Sequence, residues 1–179
     1  MADPVASARI GYRSLYLGLS ALLIFLGLLP LSALPPDWPA PDLVLCLAIA
    51  WVLRRPDYAP ALSLVAVFLI SDLFAMRPPG LWALIVLIGT EFLRSREALT
   101  RDLPFGLEWA MVGAVIAAMA LANWLVLALF MVPQIALGPV LMQFLSTLVA
   151  YPVVVALSHV FFGLRKVAPG EVDALGHRL

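Results

Sequence analysis

DYAPALSLVAVFLISDLFAMRPPGLWALIVLIGTEFLRSR, residues Asp57 to Arg96, is two apolar runs joined by a sharp turn. Ala59 to Met76 is broken mainly by Ser63, Ser71 and Asp72, and Gly80 to Leu93 carries Glu91 near its far end. Between them Arg77, Pro78 and Pro79 cannot continue a helix, because proline lacks the amide hydrogen and restricts the residue before it. The pair predicts a helical hairpin. Neither run shows the one-sided apolar stripe of a soluble helix, and a helix apolar all round lies in a large core or in lipid.

Composition decides between the two. With 64% hydrophobic residues, 12% charged residues and a mean hydropathy of +1.04 over 179 residues, the chain has too little polar surface to cover itself in water. An all-α integral membrane protein is expected. The formal net charge is zero, from 11 basic and 11 acidic residues, so bulk charge gives no signal for nucleic acid, and none is expected as a partner. The single cysteine, Cys46, lies in an apolar run and reads as a small buried residue that forms no intrachain disulfide.

Taken in order, the chain predicts one polytopic domain over residues 1–179 with spans at 15–34, 42–53, 59–76, 80–93, 107–132 and 138–162. Arg9 and Arg13 precede the first run, which also fits a signal peptide; its length and the lack of a small-residue cleavage site after it favour a retained span. Pro35 to Pro41, with Trp38 suited to the headgroup level, form a stiff connector. Asp42 to Leu53 is only 12 residues, about 18 Å of helix against a hydrocarbon core of about 30 Å. It crosses only with help: Trp51, Arg54 and Arg55 can snorkel, and neighbouring helices can shield it. The alternative is a re-entrant segment.

The basic residues test the six-span reading independently. Arg9, Arg13, Arg54, Arg55, Arg94, Arg96, Arg101, Arg165, Lys166 and Arg178 fall on one side, and Arg77 alone falls on the other, which accounts for all 11. Basic excess marks the cytoplasmic face, so both termini are expected there. Removing either short span would scramble this segregation.

Ionisable residues within spans are costly and often functional. Asp72 stands about one turn before Arg77-Pro78-Pro79, where the dipole at a helix C-terminus opposes a carboxylate. Its readings are a proton or cation site, a partner contact, or a hydrogen bond within the fold to the turn backbone or to Arg77. Glu91 and Arg94, spaced i,i+3, predict a local ion pair. Glu108 opens the fifth span, where the N-terminal dipole favours it as a cap-type residue. Ala110, Ala114, Ala118 and Ala122, with Gly113 and Ala117 beside them, form a small-residue ridge expected to pack against another helix of this chain. Asn123, Gln143, Ser146 and Thr147 are placed to hydrogen-bond across such a contact. His159 reads as a structural residue near the inner end of the last span.

Motifs for chemistry are sparse. The sequence has no glycine-rich phosphate loop, no His/Cys cluster with metal-ligand spacing and no serine nucleophile motif, so no enzyme, metal or cofactor is expected. No inverted repeat is visible.

Several short motifs in order do suggest a family. Pro41-Asp42 opens a short apolar helix, Arg55-Pro56-Asp57 closes it, Asp72 ends the next, and Pro79-Gly80-Leu81-Trp82-Ala83-Leu84 opens the following one. Glu91-Phe92-Leu93-Arg94-Ser95-Arg96 and Pro104-Phe105-Gly106-Leu107-Glu108-Trp109 continue the series. Over roughly residues 41 to 125 the chain resembles the MreD family of bacterial rod shape-determining proteins, in its alphaproteobacterial form. One departure is Phe68, four residues before Asp72, where the family often has glycine. The resemblance implies a non-enzymatic component of the cell-elongation complex in the bacterial inner membrane, helping maintain rod shape and direct lateral peptidoglycan synthesis. It implies MreC as partner and, through the complex, MreB and RodA with its penicillin-binding transpeptidase; contacts with membrane lipids and self-association are also open to it. The family also looks like the six-helix substrate-binding components of energy-coupling-factor vitamin transporters. That likeness gives the alternative, a small-molecule binder with Asp72, Trp38 and Trp82 lining an outward cavity. Candidate interaction or structural residues are Asp72, Arg77, Pro79, Gly80, Trp82, Arg55, Arg94, Glu108 and Asn123.

Overall fold

The computed structural model describes residues 4–29, 39–96, 103–132 and 136–164, and these are all-helical. The described residues form α1 (Pro4–Leu28), α2 (Leu43–Arg54), α3 (Ala61–Phe74), α4 (Leu81–Ser95), α5 (Phe105–Leu129) and α6 (Leu137–Phe162), with one 3-10 turn at Pro56–Tyr58. Three segments are long and apolar enough to cross a membrane: Ala8–Leu28, Phe105–Leu129 and Leu137–Phe162. The chain therefore has the character of a membrane protein. Its first span starts earlier than residue 15, because Ile10, Tyr12 and the flanking arginines continue the same helix, and that helix ends at Leu28, just before Pro30.

Burial organises the rest. Every residue of α2 from Val44 to Arg54 is buried, so this short helix is the centre of the molecule. It packs against α1, α4 and α6; α3 joins α1 to α4, and α5 joins α4 to α6. The ring closes where Ala8, Gly11 and Tyr12 of α1 share a hollow with Phe161 and Phe162 of α6. A helix so enclosed touches other helices along its whole length, which is the shielding that a 12-residue segment requires. Trp51, fully buried, holds the centre against Tyr16 of α1 and Phe162 of α6.

Two glycines allow close approach around this centre. A Cβ at Gly89 would lie within contact of the Met119 side chain, which brings α4 onto α5. At Gly113 it would meet Leu148 Cδ1 at 3.0 Å, which brings α5 onto α6. Close backbone approach matters because helices in lipid associate through packing and not through exclusion of water.

The α5–α6 contact also satisfies a broken backbone bond. Pro152 lies inside α6 and has no N–H to donate to the carbonyl four residues earlier, at Leu148. The Trp109 indole Nε1 of α5 donates to that Leu148 oxygen at 2.9 Å. Trp109→Phe should therefore lower stability in detergent by about 1 kcal/mol, the net worth of one such hydrogen bond. In a Pro152→Ala background, where residue 152 regains its N–H, the same change should cost much less; equal costs in both backgrounds in equilibrium unfolding would sink this account.

Candidate functional site

The hairpin end of the bundle, containing Pro39–Asp42, the α3–α4 turn, the end of α5 and the start of α6, gathers several of the polar side chains the sequence singles out, among them Asp72, Arg77, Trp82 and Asn123. Its turn is held by Asp72. Gly80 is the N-cap of α4 with φ +89, a conformation glycine tolerates, but glycine brings no side chain to cap with. Asp72 supplies the missing acceptor from the preceding helix: its Oδ2 accepts from Gly80 N at 3.1 Å and from Ala83 N at 3.3 Å. The carboxylate thus sits at the positive N-terminus of α4, which offsets its unfavourable place near the C-terminus of α3. Its second oxygen, Oδ1, is buried with no hydrogen-bond partner among the described residues.

Of the three readings of Asp72, the hydrogen bond to the turn backbone is the one the geometry contains. Asp72 is 0% exposed and closed in by its own hairpin. No ion pair joins it to Arg77 among the described residues; the Arg77 guanidinium lies over the Trp82 ring at 5.8 Å instead. Arg77 and Pro79 are exposed on the tip of the turn.

Beside the turn lies a hollow of about 290 Å³. Asp42 of the α2 N-terminus, Arg77, Trp82, Asn123 and Trp124 of α5, and Gln143 and Thr147 of α6 line it. Asp42 Oδ1 accepts from Leu45 N at 2.9 Å, and Asp42 N donates to Thr147 Oγ1 at 3.0 Å, so the wall is fixed from both α2 and α6. Ser146 Oγ donates to Pro39 O at 3.1 Å. Asn123 lines this hollow and, among the described residues, does not bridge α5 to α6 as expected; Ser146 and Thr147 bond the segment leading into α2. Of the residues expected to line a cavity, Trp82 lines this hollow, Asp72 does not, and Trp38 lies outside the described residues.

The opposite end is closed by pairs. Arg54 is 5% exposed, and its Nη2 donates to Glu108 Oε1 at 3.2 Å, an oxygen that also accepts from Tyr151 Oη at 2.9 Å. This overturns two expectations. Arg54 does not snorkel outward, and Glu108, 1% exposed, is the buried counter-charge joining α2, α5 and α6 rather than a cap-type residue alone. Sequence reasoning missed the pair because its members lie 54 residues apart; two opposite charges at the ends of neighbouring apolar runs were the available signal. Arg94 pairs with Glu91 at 2.8 Å, the local pair its spacing predicts, and also donates to Ala59 O at 2.8 Å. Arg13 Nε donates to Asp57 O at 2.9 Å, and Arg9 lies 3.8 Å from the Asp57 carboxylate. Arg55 closes α2 by donating its N–H to Trp51 O. His159 lines a hollow with Arg54 and Glu108 at this end. Arg101, Arg165, Lys166 and Arg178 lie outside the described residues.

The small-residue ridge is also placed differently from expectation. Ala110, Ala114, Ala117 and Ala118 are exposed, while Val112, Gly113, Ile116 and Met119 face the bundle. Bulk on the inner face and close approach at Gly113 suffice for packing within the chain, so these four alanines turn outward, while Ala122 packs against the core.

Comparison with models of known protein families, with curated proteins and with solved structures finds no match to this chain.

Removing the Asp72 carboxylate should loosen the hairpin in graded steps. Asp72→Asn keeps one acceptor and should cost less than Asp72→Ala, which strands two backbone N–H groups at about 1–3 kcal/mol; identical melting of all three forms in detergent would refute the capping role. Glu108→Leu leaves Arg54 buried without its counter-charge and should cost about 3–5 kcal/mol, whereas Arg54→Met combined with Glu108→Leu should recover most of that loss. Additive losses in the unfolding cycle would show that the two groups do not act as a pair.

Proposed function

We propose that this chain is a non-enzymatic scaffold of the bacterial inner membrane, an MreD-type component of the cell-elongation complex. In this reading all six helices cross the membrane, the hairpin end faces outward, and both termini are cytoplasmic. Three features support the orientation. The described arginines Arg9, Arg13, Arg54 and Arg94 collect at the end opposite Arg77. The beginning of α1 and the end of α6 share that same end. The short helices α2, α3 and α4 stand together, and α2 is shielded by its neighbours.

The observation that carries the scaffold role is the outward alanine ridge of α5. Ala110, Ala114, Ala117 and Ala118 lie on a 25-residue helix and remain exposed after every other described helix has packed. Alanines at this spacing let a second helix approach closely enough for backbone contact, which is how helices associate where the solvent is itself apolar. A single-span protein of the MreC kind is the partner this ridge suits, with the basic end turned toward anionic lipid, MreB and the wall-synthesis proteins RodA and its penicillin-binding transpeptidase.

Affinity purification from native membranes in mild detergent, with mass spectrometry of what accompanies the protein, tests the reading. MreC is expected with the natural sequence. Ala114→Leu combined with Ala118→Leu, which adds bulk only to an exposed face, should leave the melting temperature nearly unchanged and strip MreC away. Full retention of MreC by that variant would remove the ridge from the account, and recovery of a transport ATPase in place of MreC would remove the scaffold role itself.

A further inference from the structure

The hollow at the hairpin end holds two opposite charges that do not meet. Asp42 and Arg77 both line it, yet no ion pair joins them within salt-bridge distance, and the Arg77 guanidinium makes no hydrogen bond among the described residues. Trp82 stands between them. Its ring lies under Arg77, and its indole is beside the Asp42 carboxylate. At the other end of the molecule the comparable charges, Arg54 with Glu108 and Arg94 with Glu91, are paired directly.

A carboxylate lining a partly apolar hollow costs free energy unless a counter-charge reaches it, and the exposed Arg77 stands at the rim of the same hollow. A simple anion would satisfy Arg77 and be repelled by Asp42; a simple cation would have the reverse difficulty. A molecule carrying both charges satisfies both walls and is neutral overall, so it is also the cheapest to desolvate. We propose that this hollow binds a small zwitterion, its acidic group on Arg77 and its primary ammonium on Asp42, with the Asn123 and Gln143 amides completing the hydrogen bonds. Trp82 and Trp124 also line the hollow, within reach of a bound ammonium for an aromatic–cation attraction. At about 290 Å³ the hollow is at the lower edge of small-molecule sites, so it suits a head group or a few-carbon metabolite and not a multi-ring compound. The required chemistry, an ammonium and a phosphate or carboxylate a few bonds apart, occurs both in the phosphoethanolamine head group of a lipid and in free small zwitterions. The inference concerns the folded chain and does not depend on the scaffold role.

The full-length protein in phosphatidylglycerol nanodiscs supplies a zwitterion-free host, and tryptophan fluorescence reports on Trp82 and Trp124. Phosphoethanolamine and β-alanine serve as soluble probes, and phosphatidylethanolamine added at rising fractions as the lipid probe. A saturable change with a soluble probe identifies a free ligand, and one seen only with phosphatidylethanolamine identifies the lipid head group. Either supports the site if Arg77→Gln and Asp42→Asn each weaken it by roughly tenfold or more. Both variants should fold: Arg77 is exposed, and asparagine retains the oxygen that caps Leu45. No saturable change with any probe, an equal response to glycerol 3-phosphate or ethanolamine alone, or undiminished binding by both variants would overturn the proposal.

Discussion

The molecule depends on enclosing α2. A 12-residue helix, about 18 Å long, has no stable place on the surface of a membrane protein, where its polar ends would meet lipid. Enclosure by neighbouring helices, chiefly α1, α4 and α6, removes that problem and creates another, because each end of α2 now carries a polar group that must be met inside the bundle. At the start, Asp42 caps its own helix and is tied to Thr147. At the end, Arg54 finds Glu108 and Tyr151. Thr147 and Tyr151 are successive turns of the same face of α6, so α6 fixes both ends of α2 and sets how far it can slide.

The remaining polar contacts follow the same rule of satisfying a backbone or charge that no local partner can. Gly80 starts α4 without a side chain, and Asp72 reaches across the turn to do its capping. Pro152 removes a donor within α6, and Trp109 reaches from α5 to replace it. In water such gaps would be filled by solvent; in a bilayer each must be closed by another part of the chain. Each closure crosses from one helix to the next, so these local defects also fix how the helices are arranged.

This explains which features were legible in the sequence. Helix existence, the hairpin, the burial of Cys46 and the Glu91–Arg94 pair depend on apolar run length, proline position or i,i+3 spacing, all of which are local. The Arg54–Glu108 pair and the Trp109–Leu148 bond join residues 54 and 39 positions apart, and no local pattern encodes them. The alanine ridge shows a subtler limit. Spacing reveals that one face of α5 is small, but which face turns inward is decided by the neighbours; here Gly113 against Leu148 and Met119 against Gly89 take the inner side. For Asp72, the sequence narrowed the choice to three readings, and only the position of Gly80 N relative to its carboxylate selects one.

The two ends of the bundle differ in a way that separates stability from recognition. At the basic end, several charges are paired: Arg54 with Glu108, Arg94 with Glu91, and Arg9 with Asp57. At the hairpin end, Arg77 and Asp42 share a hollow without touching, and Asn123 faces it from α5. Both ends could have been closed by the same kind of pairing, since an acid and a base are present at each. Pairing them would mainly benefit Asp42, because Arg77 is exposed while a carboxylate left open near an apolar interior costs free energy. Matched charges at one end make a rigid base, and unmatched charges held apart by Trp82 at the other make a surface organised around something outside the chain.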